Sequence, residues 1–293
     1  MLHLPHSLLA IVLGIILAFF IPQVGLVIVP YALVLIGIIN LFSFSRINVH
    51  ELIVFASNKR KVAKNLFVDF FLSSGVAFIL GSILPKEQAL ALFIVAVMPT
   101  AAITTLLTRE FHGEVDEAMG LTLLSFSLVP FFAPLLLFAF YGEFVSIEVL
   151  SLAYSLIVVI VAPMFFSRLF KEFDVFSHIK TNYSKIVFAL LLLLSWGLSV
   201  EAIPLLTDWL VLINFIAASA FFTLIMAFLG SIIGSFKKEK IAFALTASIK
   251  STALGSALAL VFLNATTAGY VVVYGLVSHV LLVPLYWFLV GKK

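Results

Sequence analysis

The chain has 293 residues, of which 63% are apolar and 11% charged, with 31 Phe and no Cys. A soluble globular chain is roughly 45–50% apolar and about 25% charged, so this one cannot cover itself with polar surface in water. Its 17 Lys/Arg and 14 Asp/Glu leave a net charge of +3, scattered over short segments, which excludes a nucleic-acid reader; the lack of Cys excludes a disulfide framework and any thiolate-bound metal or redox centre.

Apolar runs bounded by charges or turn residues predict ten spanning helices, each needing roughly 20 residues to cross a bilayer. In chain order they cover about Leu8–Ile21, stopped by Pro22; Val27–Phe44; Lys64–Leu84, ended by Pro85; Gln88–Thr108; and Asp116–Phe140. Then come Ser146–Phe170, Lys185–Val200, Trp209–Ser235, Lys240–Leu263 and Thr267–Val290. No Lys or Arg precedes the first run and no small-residue cleavage site follows it, so it reads as a retained helix and not a signal peptide. No stretch has the length or polarity of a soluble domain.

Every Lys and Arg except Lys86 and Lys250 falls in alternate loops or at the tail: Arg46, Lys59, Arg60, Lys61 and Lys64; Arg109; Arg168, Lys171, Lys180 and Lys185; Lys237, Lys238 and Lys240; Lys292 and Lys293. The opposite loops hold Lys86 with Glu87, Glu143, Glu148, Glu201 and Asp208. Basic loops stay in the cytoplasm, which predicts a multi-pass protein of the cell membrane with both termini cytoplasmic.

Leu80-Gly81-Ser82-Ile83 recurs as Leu229-Gly230-Ser231-Ile232, each followed by Lys and Glu, and Ala133-Pro134-Leu135 recurs as Val283-Pro284-Leu285. Two matches at nearly the same offset, about 150 residues, argue against chance likeness among apolar sequences. The pattern divides the chain into 1–142 and 143–293, two five-helix repeats of opposite orientation. Inverted repeats are a plan of secondary transporters, with substrate near the midplane.

The fourth and ninth predicted helices correspond and are both odd. The fourth carries Pro99-Thr100-Ala101-Ala102-Ile103-Thr104-Thr105 in mid-span; Pro frees a carbonyl there, tolerable in a membrane only where it is buried or faces a polar cavity. The ninth carries Thr246-Ala247-Ser248-Ile249-Lys250-Ser251-Thr252 at the same depth. Small residues and Thr also serve close helix packing, but a lysine does not. Lys250 lies about ten residues into its predicted helix, roughly 15 Å deep in a core about 30 Å thick, beyond the reach of snorkelling. A central Lys costs about 2.5–3.5 kcal/mol and marks a pathway. Asp69 either pairs with it or faces the headgroups; His279 either relays protons and binds a carboxylate or bonds between helices. Thr122, Ser125 and Ser127 either face the break in the fourth helix or bond their own backbone.

On these residues the chain resembles the bile acid:sodium symporter family, within the wider fold shared with auxin efflux carriers. The resemblance runs through nearly the whole chain. It is most specific from Pro99 to Pro134, with Thr104-Thr105, Gly113, Thr122, Ser125 and Pro134-Leu135, and next in the ninth helix. It implies an all-α integral membrane protein with ten transmembrane helices in two inverted five-helix repeats and broken, crossing fourth and ninth helices. A core of helices three to five and eight to ten would rock against a panel of one, two, six and seven. In sodium-coupled relatives a Glu and neighbouring amides of the ninth helix bind two sodium ions; here those positions read Thr246 and Lys250. Thr104, Thr105 and Thr122 remain as oxygens for one residual sodium site.

The implied function is secondary transport of a small organic anion by alternating access, proton-linked or uncoupled because Lys250 stands at a sodium-site position. The alternative is a sodium-coupled, bile-acid-like symporter. The site implied comprises Pro99, Thr100, Thr104, Thr105, Thr122, Ser125, Thr246, Lys250, Ser251, Thr252 and His279, with Asp69 as charge partner; no resident cofactor is implied. Two other classes stay open. A membrane receptor would bind without flux, and an intramembrane enzyme would draw on Glu110, His112, Glu114, Asp116 and Glu117, whose place in a short loop favours a solvated turn.

Overall fold

The computed structural model describes residues 6–45, 57–142, 148–173 and 182–291. Arg46, Glu143, Ser146, Lys180, Lys292 and Lys293, used above for orientation and helix ends, lie outside the described residues. Everything regular among the described residues is helical: α1 (His6–Phe20), α2 (Pro22–Ser45), α3 (Lys59–Gly81), α4 (Lys86–Val97), α5 (Thr104–Glu110) and α6 (Val115–Tyr141). There follow α7 (Val149–Glu172), α8 (Tyr183–Val200), α9 (Trp209–Ile233), α10 (Lys237–Ser248), α11 (Thr252–Phe262) and α12 (Ala265–Val290). Seven of these are long and apolar enough to cross a membrane by themselves: α2, α3, α6, α7, α8, α9 and α12. The chain is a multi-pass integral membrane protein.

Helix boundaries have local causes. Pro22 ends α1 and occupies the first turn of α2, where its missing N–H costs nothing. α3 begins at Lys59 and not at Lys64, because Asn58 caps it by accepting from the Lys61 N–H at 3.2 Å. The basic turn is tolerated because Lys61 pairs with Glu117 of α6 and Glu239 of α10. α3 and α7 each widen into a π-turn, at Phe67–Leu72 and Ile157–Val161. A side chain from elsewhere in the fold bonds a carbonyl in each: Asn40 Nδ2 of α2 donates to the Val159 carbonyl at 2.9 Å, and Lys250 Nζ, from the segment between α10 and α11, to that of Asp69.

α1 lies along α8, and α2 packs on α7 and α8. α3 to α6 and α9 to α12 interlock, with α9 against α10, α11 against α12, and α4 against α3 and α12. Two approaches need glycine: a Cβ at Gly14 would sit 1.9 Å from Ser195 Oγ, and one at Gly230 2.2 Å from the Phe243 carbonyl oxygen. Phe20, Ile83, Phe131, Leu150 and Phe288 are exposed, the surface a bilayer would cover.

Candidate functional site

The path of α4 stops at Val97. Met98 is extended (φ −72°, ψ 154°) and Pro99 has no N–H to continue a helix. α10 stops at Ser248, and Ile249 is extended (φ −103°, ψ 100°). The two unwound segments lie antiparallel, with Thr100 opposite Lys250. Ala101 N–H donates to the Ile249 carbonyl at 2.9 Å, and Ser251 N–H to that of Pro99 at 2.8 Å. Each break thus satisfies the other, as irregular backbone at membrane depth requires.

Side chains lock the crossing. The Thr100 N–H donates to Ser125 Oγ (3.1 Å) and Thr100 Oγ1 to the Thr246 carbonyl (3.0 Å). Tyr274 OH donates to the Ser248 carbonyl at 3.1 Å, and Ser73 Oγ to that of Ala96 at 2.8 Å. Lys250 then projects into α3, where its Nζ donates to the Asp69 carbonyl (2.7 Å) and to Asp69 Oδ1 (2.5 Å). The Lys250 side chain is 0% exposed and that of Asp69 9%, so each charge has the other in place of water. A void of about 10 Å³, the lower limit for one water, lies beside them; Asn65, Asp69, Thr100 and Thr246 line it together with Val68, Leu121 and Ala247.

Two larger spaces flank the crossover. One of about 440 Å³ separates α2 and α8 from α5 and α6, and includes Asn40, Ser43, Thr105, Arg109, Thr122 and Tyr183 in its wall. The other, about 150 Å³ and largely apolar, lies among α1, α8, α11 and α12 and includes Ser195, Thr252 and His279. His279 Nδ1 is 2.6 Å from the Gly275 carbonyl. A carbonyl only accepts, so that nitrogen carries a proton; Nε2 is buried without a partner among the described residues.

The structure therefore gathers Asp69, Pro99, Thr100, Ser125, Thr246, Lys250 and Ser251 at one point. Thr105 and Thr122 face the larger cavity, though the Thr122 hydroxyl donates to its own helix at Ala118. Thr104 is buried, its hydroxyl unpartnered among the described residues, and it does not line that cavity. Thr252 and His279 border the smaller space, and Ser127 bonds its own helix at Leu123. Of the acidic loop, Glu117 is taken by Lys61, while His112 is exposed with φ 59°. Among the described residues no three of His, Cys, Asp and Glu are grouped as a metal needs. Sequence reasoning passed over Asn40, Arg109 and Tyr183 in the cavity wall. Asn40 had a signal, a carboxamide inside the apolar run of the second helix.

Comparison with curated proteins gives no match. The model of the sodium bile acid symporter family matches residues 9–209, a stretch that holds Asp69, Thr100, Thr122 and both walls of the larger cavity but stops short of Lys250. On that match the chain belongs to the sodium bile acid symporter family, a family of membrane transporters.

Proposed function

We propose that this protein is a secondary transporter carrying a small organic anion by alternating access, and that Lys250 holds the place of a coupling sodium ion. Transport is then proton-linked or uncoupled. The buried Lys250–Asp69 pair carries this reading. The ammonium bonds a backbone carbonyl and a carboxylate, the oxygens an alkali cation would seek. With Lys250 already on these oxygens a sodium ion would have to displace it, against a repulsion of about 4 kcal/mol from a unit charge 4 Å away at an effective dielectric of 20, which the Asp69 carboxylate offsets only in part while it is shared with the ammonium.

Packing supports the rocking of two bodies. α1, α2, α7 and α8 form the panel and the remaining helices the core, in two inverted repeats meeting at the crossover. The larger cavity lies between panel helices α2 and α8 and core helices α5 and α6, and Arg109 in its wall favours an anion. The distribution of Lys and Arg over alternate loops favours cytoplasmic termini.

The test is uptake of organic anions into proteoliposomes under imposed sodium or proton gradients. Wild-type uptake is expected to ignore the sodium gradient. Sodium-driven uptake left unchanged by Lys250→Met would overturn the proposal and favour a sodium symporter. Saturable binding without flux would identify a receptor.

A further inference from the structure

α9 ends at Ile233 and α10 begins at Lys237, so the chain turns there at a membrane boundary. These two ends and the last turn of α12 enclose a pocket of about 390 Å³ whose wall includes Ser231, Ser235, Phe236, Lys237, Lys240 and Phe288. Its charge is one-sided. Among the described residues neither Lys237 nor Lys240 has a carboxylate partner. Lys237 Nζ donates to the Val290 carbonyl at 2.6 Å, which holds the ammonium at the mouth without neutralising it. The acid in the same turn, Glu239, is buried and committed to Lys61 and to the Ser235 N–H.

The other wall is apolar and open. Phe236 and Phe288 in it are exposed by 50% and 67%, with Ile241 and Leu289 beside them. The pocket thus joins a cationic rim to a face that needs hydrocarbon. A free phosphate would satisfy the rim alone, and a neutral lipid the face alone. We propose that this pocket binds an anionic phospholipid, its phosphate between Lys237 and Lys240 and an acyl chain along Phe236 and Phe288. Basic pockets between spanning helices are known to take such headgroups.

The experiment compares retention of phosphatidylglycerol from phosphatidylcholine mixtures by native mass spectrometry. Lys237→Gln/Lys240→Gln is expected to weaken retention by about tenfold or more, the scale of two cations at an anionic surface. Lys171→Gln/Lys185→Gln, which removes the same charge elsewhere on the basic side, is expected to retain it as wild type does. Should the double variant fold poorly, Lys240→Gln alone carries the test, since that ammonium has no hydrogen bond among the described residues to lose. Equal retention by wild type and the pocket variants overturns the proposal. So does an equal loss in the control, which would mean bulk charge only, or displacement of the lipid by millimolar inorganic phosphate, which would mean a phosphate site.

Discussion

Asp69→Asn removes one charge from the crossover and leaves its shape. Lys250 then keeps the Asp69 carbonyl at 2.7 Å and an amide oxygen, but its ammonium, 0% exposed, faces no anion. Breaking a buried pair from one side costs about 3–5 kcal/mol; the surviving acceptors put this variant near 3. Lys250→Met strands the carboxylate instead, and a similar loss is expected. The double variant Asp69→Asn/Lys250→Met strands nothing, and replacing a whole buried pair is commonly neutral or stabilising by about 1–4 kcal/mol. Thermal unfolding of the four proteins in one detergent forms the cycle. Both single variants should melt well below wild type and the double variant should recover most of the difference. Additive losses, with the double variant least stable of all, would refute the reasoning.

The cavity between α2, α8, α5 and α6 should be open to water. Because the chain has no Cys, Thr105→Cys gives a unique thiol in that wall, and a bulky water-soluble thiol reagent is expected to abolish uptake by that variant and spare wild type. Gly230→Ala forces a methyl within 2.2 Å of the Phe243 carbonyl oxygen, a backbone atom that cannot swing aside; a loss of about 1–3 kcal/mol or more is expected from the melting curve. Glu201 follows α8 directly, and partial burial raises its carboxyl above the usual glutamate value. The folded state therefore holds its proton to higher pH than the unfolded one, and stability falls as pH rises through that window. Glu201→Gln should be more stable than wild type at neutral pH, the gap closing on acidification below the ordinary glutamate range; a gap that widens would refute it.

The spans could be read because a bilayer demands about 20 apolar residues per helix and charges mark where each stops. Lys250 could be read for the same reason, as the one basic residue no loop explains. Its pairing with Asp69 could be read only as one of two alternatives. The apolar run alone starts the third helix at Lys64 and leaves Asp69 near the boundary, whereas the Asn58 cap starts it at Lys59 and sets Asp69 about ten residues in, roughly 15 Å along the axis. The π-turn around Asp69 has no compositional mark either. Lys61 counted as a loop charge, yet it is a helical residue tying α3 to α6 and α10 through Glu117 and Glu239. The cavity wall joins Asn40, Arg109 and Tyr183, of which only Asn40 carries a mark of its own, and packing alone brings them together.

The mutual repair of the two breaks also sets an order on biogenesis. When α4 and α5 enter the membrane, the Pro99 carbonyl and Ala101 N–H have no partners, since Ile249 and Ser251 are not yet made. The Thr246 carbonyl that receives Thr100 is 146 residues further along, roughly 7–30 s of synthesis at 5–20 residues per second. An unsatisfied backbone group in hydrocarbon costs several kcal/mol, so the nascent first half waits beside water, lipid headgroups or an insertion factor until its counterpart arrives. Cells making a chain that stops after α6 should degrade it, and supplying the second half as a separate polypeptide should rescue it.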